Sequence, residues 1–275
     1  MDQDLIKQAA EVIADADALL IGAGAGMGVD SGLPDFRGDK GFWKAYPPLE
    51  RLGISFVSMA NPKWFKNDPS LAWGFYGHRL HLYRDTTPHN GFSLLKKWSD
   101  EKPSGGFVYT SNVDGHFQKA GFAESQVVEC HGSLNHLQCS LTCGDGIWSA
   151  VGTEVNVDLE SFRAAAPFPS CPNCQRLARP NVLMFGDWHW VEERTNRQYA
   201  HYQNWRAGLR HKKLVIIECG AGTAVPSVRA NSERALDLGE ATLIRINPRE
   251  SHGRRGTISL PYGALSALEA IENEL

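Results

Sequence analysis

The chain has 275 residues and a formal net charge of −3 at pH 7, which suits one large domain, or one domain with a smaller insert, around a substantial core. This near balance of charge gives no reason to expect nucleic-acid binding through bulk positive charge. The first residues are acidic and lack the basic start and apolar run of a signal peptide. Because no apolar stretch approaches the length of a membrane span, we expect a cytoplasmic protein without a membrane partner.

The N-terminal segment predicts a helix, a buried strand and a glycine-rich turn, in that order. Residues 4–16 carry apolar side chains at helical spacing, and residues 18–21 are all apolar. Glycines are frequent in the residues that follow, 22–38. Glycine at a strand-to-helix turn lets backbone N–H groups approach a diphosphate, so this turn predicts a dinucleotide site. The alternative is that the glycines only close an ordinary βα unit.

Residues 38–103 predict a helical insert with a loop that closes over a ligand. The segment is irregular and rich in aromatic side chains, most of which we expect in an ordinary core. Within it, Tyr76 and Arg79 are three residues apart and would share one face of a helix. A guanidinium beside a phenol is a suitable receptor for a carboxylate.

Two further strands are predicted at 106–110 and 126–130, and each leads into polar side chains. These side chains are Ser111, Asn112, Asp114 and His131. Open α/β sheets bind ligands at the carboxyl ends of their strands, which makes these residues candidates for a site. The alternatives are that Asn112 and Asp114 only cap the next helix and that a lone histidine such as His131 is structural.

Four of the six cysteines form two closely spaced pairs. The pairs are Cys139-x3-Cys143 and Cys171-x2-Cys174. Four thiolates at this spacing can close a tetrahedron around Zn²⁺ and leave no open position for water, so we predict a structural zinc site. The alternatives are two buried thiol pairs, or a redox pair formed by Cys171 and Cys174.

After the cysteine segment the alternation of strands and helices resumes. The predicted elements are a strand at 182–185, a helix around 191–210, strands at 214–218 and 241–246, and a closing helix near 263–274. This alternation predicts an α/β fold, a Rossmann-like parallel sheet with an inserted small zinc-binding and helical module. The expected division is a Rossmann-like domain of residues 1–37, 104–138 and 175–275, a helical insert of 38–103 and a zinc-binding module of 139–174.

Two motifs carry a resemblance to a known family. The first is Gly24-Ala-Gly26 followed by Ser31-Gly-Leu-Pro-Asp-Phe-Arg-Gly38, and the second is Glu129-Cys-His-Gly-Ser133 followed by Cys139. Together they resemble the sirtuins, the NAD-dependent protein-lysine deacylases, and the resemblance covers about residues 5–270. It implies NAD and structural zinc as bound groups, an acyl-lysine protein or peptide as substrate, and release of nicotinamide and O-acyl-ADP-ribose.

The resemblance also implies roles for single residues. His131 would be the general base on a ribose hydroxyl, a task suited to an imidazole with an ordinary pKa of about 6.5. Asn112 and Asp114 would act beside it at the nicotinamide end. The cofactor-binding residues would be Gly24, Ala25, Gly26, Asp35, Phe36, Arg37, Ser111, Asn112, Asp114, Gly220, Ala221, Gly222 and Asn247.

The same resemblance implies how the substrate binds. Tyr76 and Arg79 resemble the Tyr-x-x-Arg motif of class III sirtuins, which bind the carboxylate of succinyl-, malonyl- or glutaryl-lysine. Val182, Phe185 and Gly186 are similar to the segment where the substrate peptide adds as a strand.

Several positions depart from the sirtuin pattern. They are Ala23 in place of Thr, Gly28 in place of Ser, Ser111 in place of Gln, Ala221-Gly222 in place of Thr-Ser, and Asp187 in place of Glu. Each lost hydroxyl or amide removes a hydrogen bond of about 0.5–1.5 kcal/mol. Because Ser111 would lie beside the reacting ribose, one alternative is the same fold acting as an ADP-ribosyltransferase or NAD hydrolase. A zinc ribbon that binds nucleic acid or protein is another, although Arg163 is the only Lys or Arg in 139–174.

Overall fold

The computed structural model describes residues 1–34, 38–144 and 146–275. Its strands are β1 (Ala18–Ala23), β2 (Gly106–Thr110), β3 (Val127–Glu129), β4 (Gly132–Cys139), β5 (Ile147–Ser149), β6 (Val157–Asp158), β7 (Arg163–Ala164), β8 (Ala178–Val182), β9 (Leu214–Cys219), β10 (Ala241–Ile246) and β11 (Ile258–Leu260). Its helices are α1 (Gln3–Ala14), α2 (Gly38–Ala45), α3 (Pro47–Arg51), α4 (Phe56–Met59), α5 (Lys63–Asn67), α6 (Pro69–Asp85), α7 (Asn90–Asp100), α8 (His116–Lys119), α9 (Glu193–Ala207), α10 (Ser227–Ala235) and α11 (Ala264–Glu272). In the described part of the chain, every helix is too short or too polar to span a lipid bilayer.

The main sheet is parallel and has the strand order β11-β10-β9-β1-β2-β3. Its central strand β1 is buried along its whole length. Leu19 and Ile21 belong to the core cluster on one face of the sheet, and Leu20 belongs to the cluster on the other face. Because helices cover both faces, the strand reads as an unbroken apolar run. The predicted α/β fold with a parallel sheet is confirmed.

Helices cover both faces of this sheet. On one face α1, α7 and α11 contribute Ile6, Phe92 and Leu268 to a shared core. On the other face α9 and α10 contribute Tyr202 and Val228. Helix α7 thus packs against the main sheet, although it lies inside the segment that the sequence predicts as a helical insert. The domain boundaries themselves stay a prediction.

A second layer carries the remaining helices and two small sheets. A three-stranded antiparallel sheet has the order β5-β4-β8, and β6 pairs with β7. Helix α6 is buried along most of its length between these sheets and the shorter helices. Its Gly74 lies so close to the hairpin of β6 and β7 that a Cβ atom would stand 2.2 Å from the carbonyl oxygen of Phe162. Glycine is therefore required for this contact.

The predicted strand at 182–185 is wrong in its position and its sheet. The strand there is β8, which ends at Val182 and pairs antiparallel with β4 rather than joining the main sheet. Residues 183–185 lie outside any strand and lead to Gly186, whose φ is +68°. β8 could not be predicted from the sequence, because its buried side chains include Arg179 and Asn181 and the strand therefore lacks an apolar pattern.

Candidate active site

The turns that follow β1 and β9 contact each other through their backbones. The amide N–H of Gly24 donates to the carbonyl of Cys219 at 3.0 Å, and that of Gly26 donates to the carbonyl of Gly220 at 3.1 Å. A Cβ on Gly24 would stand 2.7 Å from Cα of Ala221, and Gly220 has φ +63°. Both glycines are needed for this close approach. The two glycine turns predicted from the sequence therefore form one structure at the carboxyl edge of the sheet.

The segment after β2 is tied to the same edge. The side-chain amide of Asn112 donates to the carbonyl of Gly24 at 3.1 Å, and the backbone N–H of Ser111 donates to the carbonyl of Ala23 at 3.1 Å. Asp114 is buried, and its carboxylate accepts the backbone N–H of His116 at 2.9 Å at the start of α8. Asp114 therefore bonds to the backbone at the start of α8, whereas Asn112 bonds to the glycine turn.

His131 lies between β3 and β4, opposite the start of α10. Its Nε2 is 3.2 Å from Oγ of Ser227, the first residue of α10. Burial lowers the pKa of His131 below its ordinary value, and a hydrogen bond to the backbone of Ser111 offsets part of this effect. The imidazole is therefore neutral near pH 7, as a general base must be. Ser227 belongs to no motif singled out in the sequence, and only its place on a second element brings it to His131.

Asn247, which follows β10, is fully buried. Its side-chain amide donates to the carbonyl of Ala221 at 2.9 Å, and its carbonyl oxygen accepts the backbone N–H of Glu250 at 3.0 Å. The carboxylate of Glu250 in turn accepts from the hydroxyl of Thr223 at 2.6 Å and from its backbone N–H at 3.3 Å. Asn247 thus joins the loops after β9 and β10. The turn at Thr223, after β9, is of a kind that favours an anionic oxygen.

Residues 183–187 form a segment beside His131 that is exposed at Leu183 and Phe185. The backbone N–H of Leu183 donates to the carbonyl of His131 at 2.9 Å, and that of Phe185 donates to the carbonyl of Ala60 at 2.8 Å. The side chains of Leu183 and Phe185 are more than a third exposed. An apolar strip therefore lies in solvent next to the histidine.

A buried ion pair holds this segment in place. Nη2 of Arg179 in β8 donates to the carboxylate of Asp187 at 2.6 Å, with 2% and 0% of the two side chains exposed. The same carboxylate accepts the backbone N–H of His189 at 3.2 Å. The segment is therefore fixed to the small sheet at its C-terminal end.

Tyr76 and Arg79 both lie on α6 and are buried. The guanidinium of Arg79 donates to the hydroxyl of Tyr83 from Nε at 3.0 Å and from Nη2 at 2.6 Å. It also lies 5.2 Å from the ring centre of Phe75. Burial raises the pKa of Tyr76, so its phenol stays protonated. The predicted pair is brought together within a cluster of aromatic rings.

Cys139, Cys143, Cys171 and Cys174 meet in one cluster, and their sulfurs all lie within 4.8 Å of one another. Sγ of Cys139 is 3.7 Å from that of Cys174, and Sγ of Cys143 is 3.5 Å from that of Cys171. Four sulfurs bound to zinc at about 2.3 Å are about 3.8 Å apart in a tetrahedron, so the spacing fits Zn²⁺. Backbone N–H groups lower the pKa of Cys171 to about 7, which favours the thiolate that binds metal. A single cluster agrees better with a structural metal than with separate thiol pairs.

Most of the predicted site residues converge at the carboxyl edge of the main sheet. The turns after β1, β2 and β9 and the histidine after β3 are all there, as the topology of a parallel sheet requires. Asp35, Phe36 and Arg37 lie outside the described residues. The cysteine cluster is separate but connected, because β4 runs from Gly132, next to His131, to Cys139.

Comparison with known proteins gives one consistent result. The sequence model of the Sir2 family matches residues 24–206. A protein of Aquifex aeolicus named NAD-dependent protein deacylase is 32% identical over 232 residues, which cover 83% of this chain and 82% of that protein. One of the same name from Aeropyrum pernix is 28% identical over 249 residues, or 89% and 86% of the two chains. A solved structure of a Sir2 homologue in complex with NAD covers 97% of this chain and 93% of its own, with a TM-score of 0.72 and 24% identity, and shows the same fold.

Proposed function

Because the chain belongs to the Sir2 family, we propose that it is an NAD-dependent protein-lysine deacylase that releases nicotinamide and O-acyl-ADP-ribose. The observation that carries the proposal is the environment of His131. This imidazole is kept neutral by burial and lies at the carboxyl edge of a parallel sheet, beside the segments that follow β2 and β8. In this proposal His131 accepts a proton from a ribose hydroxyl, as a general base.

The turns at this edge fit a dinucleotide. Glycine at 24 and 220 leaves the backbone uncovered by side chains, and the backbone N–H of Thr223 already donates to a carboxylate oxygen of Glu250. In the proposal residues 24–26 and 220–222 line the cofactor, while Asn247 holds the second turn in position through Ala221. NAD, when bound, supplies the ADP-ribose that accepts the acyl group. Asn112 fixes the first turn through Gly24.

The substrate peptide would lie along the exposed strip formed by Leu183 and Phe185. Residues 183–187 are joined at one end to His131 through its carbonyl and at the other to Arg179 through Asp187. An acyl-lysine in a peptide bound there would be next to the base. Val182 and Gly186 set the ends of this strip, since the strand stops at the first and the chain turns at the second.

The test is mass spectrometry of the purified protein with NAD and peptides that carry acetyl-, succinyl-, malonyl- or lipoyl-lysine. The expected result is loss of an acyl group with a matching O-acyl-ADP-ribose, and loss of both in His131→Ala. His201→Ala, at an exposed position on α9, is the matched control and should keep wild-type activity. Consumption of NAD without any peptide, or ADP-ribose attached to protein, would replace the proposal with NAD hydrolysis or ADP-ribosyl transfer.

For the acyl group, the proposal is an acidic acyl chain recognised by Tyr76 and Arg79. The support is a buried guanidinium enclosed by aromatic side chains and close enough to Tyr76 to influence the pKa of its phenol. A carboxylate beside such a group makes a charge-assisted hydrogen bond. Arg79→Met should lower activity on succinyl-lysine at least tenfold and change activity on acetyl-lysine less than about threefold, a difference set by one charged hydrogen bond. An equal loss on both substrates would contradict this assignment, and a thermal melt of each variant checks that α6 stays folded.

A further inference from the structure

Ser227 is the side chain that meets the ring of His131 from the opposite side of the active site. Its Oγ lies 3.2 Å from Nε2 of His131. The serine is the first residue of α10, which packs on β1 and β9, whereas the histidine follows β3 and leads into the small sheet. The hydrogen bond therefore joins the two structural layers across the site.

The backbone on the serine side is firmly held. Val228, the next residue, is buried in the core that α10 shares with the sheet. Arg229 donates to the carbonyl of Glu250 at 2.8 Å and to that of His252 at 2.9 Å. Ser227 thus has a fixed position, and its hydroxyl can orient whatever it contacts.

The histidine is held by its own backbone and by a second ring contact. Its carbonyl accepts the N–H of Leu183, and the preceding residue, Cys130, donates to the carbonyl of Thr110. The backbone of Ser111 also lies close enough to the imidazole to favour its charged form. Nε2 of the ring faces Ser227.

We propose that Ser227 is a positioning residue for His131: its hydroxyl fixes the orientation of the imidazole ring, so that Nε2 is the nitrogen that accepts a proton. The proposal rests on the function proposed above and names a residue that the family resemblance did not single out. In the resting state the hydroxyl of Ser227 donates to the lone pair of Nε2. Because this lone pair holds only one hydrogen, the hydroxyl rotates away when a ribose hydroxyl approaches. Nε2 then takes the ribose proton, the ribose oxygen keeps the electron pair for attack on the acyl carbon, and Oγ of Ser227 accepts from Nε2–H. A hydroxyl can do both because it is a donor and an acceptor.

If Ser227 acts through His131, it affects only the reaction step that uses the base. The sirtuin resemblance implies that the carbonyl of the acyl-lysine first displaces nicotinamide, and that the base acts afterwards, when the ribose hydroxyl is deprotonated. Loss of Ser227 Oγ should therefore slow acyl transfer and leave the earlier exchange of nicotinamide unchanged. A purely structural role of Ser227 would reduce both, since both need the folded site.

The first measurement follows the histidine ring itself and does not depend on activity. ¹⁵N shifts of the imidazole, assigned by their loss in His131→Ala, report the hydrogen bonding of each ring nitrogen. The expected result is the same Nε2 shift in the wild type and in Ser227→Thr, and a different Nε2 shift in Ser227→Ala, whose ring has lost this bond. The same Nε2 shift in wild type and Ser227→Ala would overturn the proposal.

The second measurement compares acyl transfer with the exchange of labelled nicotinamide into NAD. Ser227→Ala should lower kcat for O-acyl-ADP-ribose about tenfold, with the KM for NAD and the exchange rate within about threefold of wild type. Ser227→Thr keeps a hydroxyl and should restore kcat to within about threefold of wild type. Ser266→Ala, on the exposed side of α11, is the control that should change neither rate.

The outcomes separate the two proposals. If the wild type shows no NAD-dependent deacylation, the proposed function fails, and the ¹⁵N shifts still decide whether Ser227 holds the imidazole through Nε2. If the wild type is active but Ser227→Ala keeps full kcat, the positioning role is overturned. An equal fall of exchange and acyl transfer that threonine does not restore would also overturn it, in favour of a structural role.

Discussion

The pKa of the His131 imidazole decides when this side chain can act as a base. Burial lowers that pKa, and the bond to Ser111 counteracts the shift only in part. Below the shifted pKa the ring is protonated and cannot accept a proton, whereas above it the ring is neutral. Deacylation should therefore persist below pH 6.5, the ordinary value of histidine, and fall as the pH drops through the lowered pKa.

The measurement is the pH dependence of kcat for acyl transfer under saturating NAD and peptide. The expected acid limb has its midpoint below about 6.5. A midpoint above that value would contradict the environment described for His131. The stability of the fold over the same range, followed by circular dichroism, separates loss of the base from unfolding.

The sequence singles out individual residues where a local motif marks them. The glycines at 24 and 220, Asn112 and the four cysteines all lie where neighbouring strands or turns bring their partners. Ser227 could not be predicted, because nothing in its own segment distinguishes it. Its contact with His131 depends on the packing of α10 beside β1.

Among the elements, α6 depends on glycine at a position where alanine would usually be better. Alanine favours a helix interior by about 1 kcal/mol over glycine. At position 74 the added Cβ would stand 2.2 Å from the carbonyl oxygen of Phe162, which is backbone and has little freedom to move. Gly74→Ala should therefore lower the free energy of unfolding by about 1–3 kcal/mol.

The matched control for this change is Gly263→Ala, where the nearest atoms to the new Cβ are side-chain oxygens at 3.5 Å or more. Its expected effect is within about 0.5 kcal/mol. Both variants are compared by denaturant unfolding. Equal stability of the two would contradict the tight packing of α6 on the β6–β7 hairpin.

The segment after β8 depends on one buried ion pair. Asp187→Asn would leave the guanidinium of Arg179 buried opposite a neutral amide, and removing one partner of such a pair costs about 3 kcal/mol. The KM for the acyl peptide should rise more than the KM for NAD, because the segment carries Leu183 and Phe185. Asp15→Asn, which breaks an exposed pair with Lys213, should change stability by less than about 1 kcal/mol. A larger change in the KM for NAD than in the KM for the acyl peptide would contradict a peptide-binding role of residues 183–187.

The elements that the sequence predicts best are those with one simple pattern. β1, β9 and β10 are apolar runs between turn residues, and their parallel pairing follows from the helices between them. β4 and β8 lack such a pattern, because their buried side chains include Ser133, Gln138 and Asn181, which form hydrogen bonds inside the small sheet or around it. Buried polar networks are set by tertiary partners, which a local pattern does not contain.

At the scale of the whole molecule, strand β4 connects the base His131 with the metal cluster. β4 begins beside His131 and ends at Cys139. Cys171→Ser should reduce bound zinc from about one ion per chain to nearly none, because structural sites need all four thiolates. Acyl transfer should fall with it, since the small sheet that holds β4 and β8 loses its metal.

Elemental analysis of the purified variants checks this prediction, with activity measured on the same samples. Cys219→Ala, which removes a buried thiol outside the cluster, is the control and should keep its zinc. Full zinc content in Cys171→Ser would contradict the assignment of this cysteine as a ligand.

The central position of β1 also determines when this protein can begin to fold in the cell. β1 is synthesised before both of its partners, β2 (Gly106–Thr110) and β9 (Leu214–Cys219). One edge of this apolar strand therefore stays unpaired until residue 110 has been synthesised and the other until residue 219, and pairing over such long separations is slow. Until then the open edge of β1 is a place where wrong strands can pair.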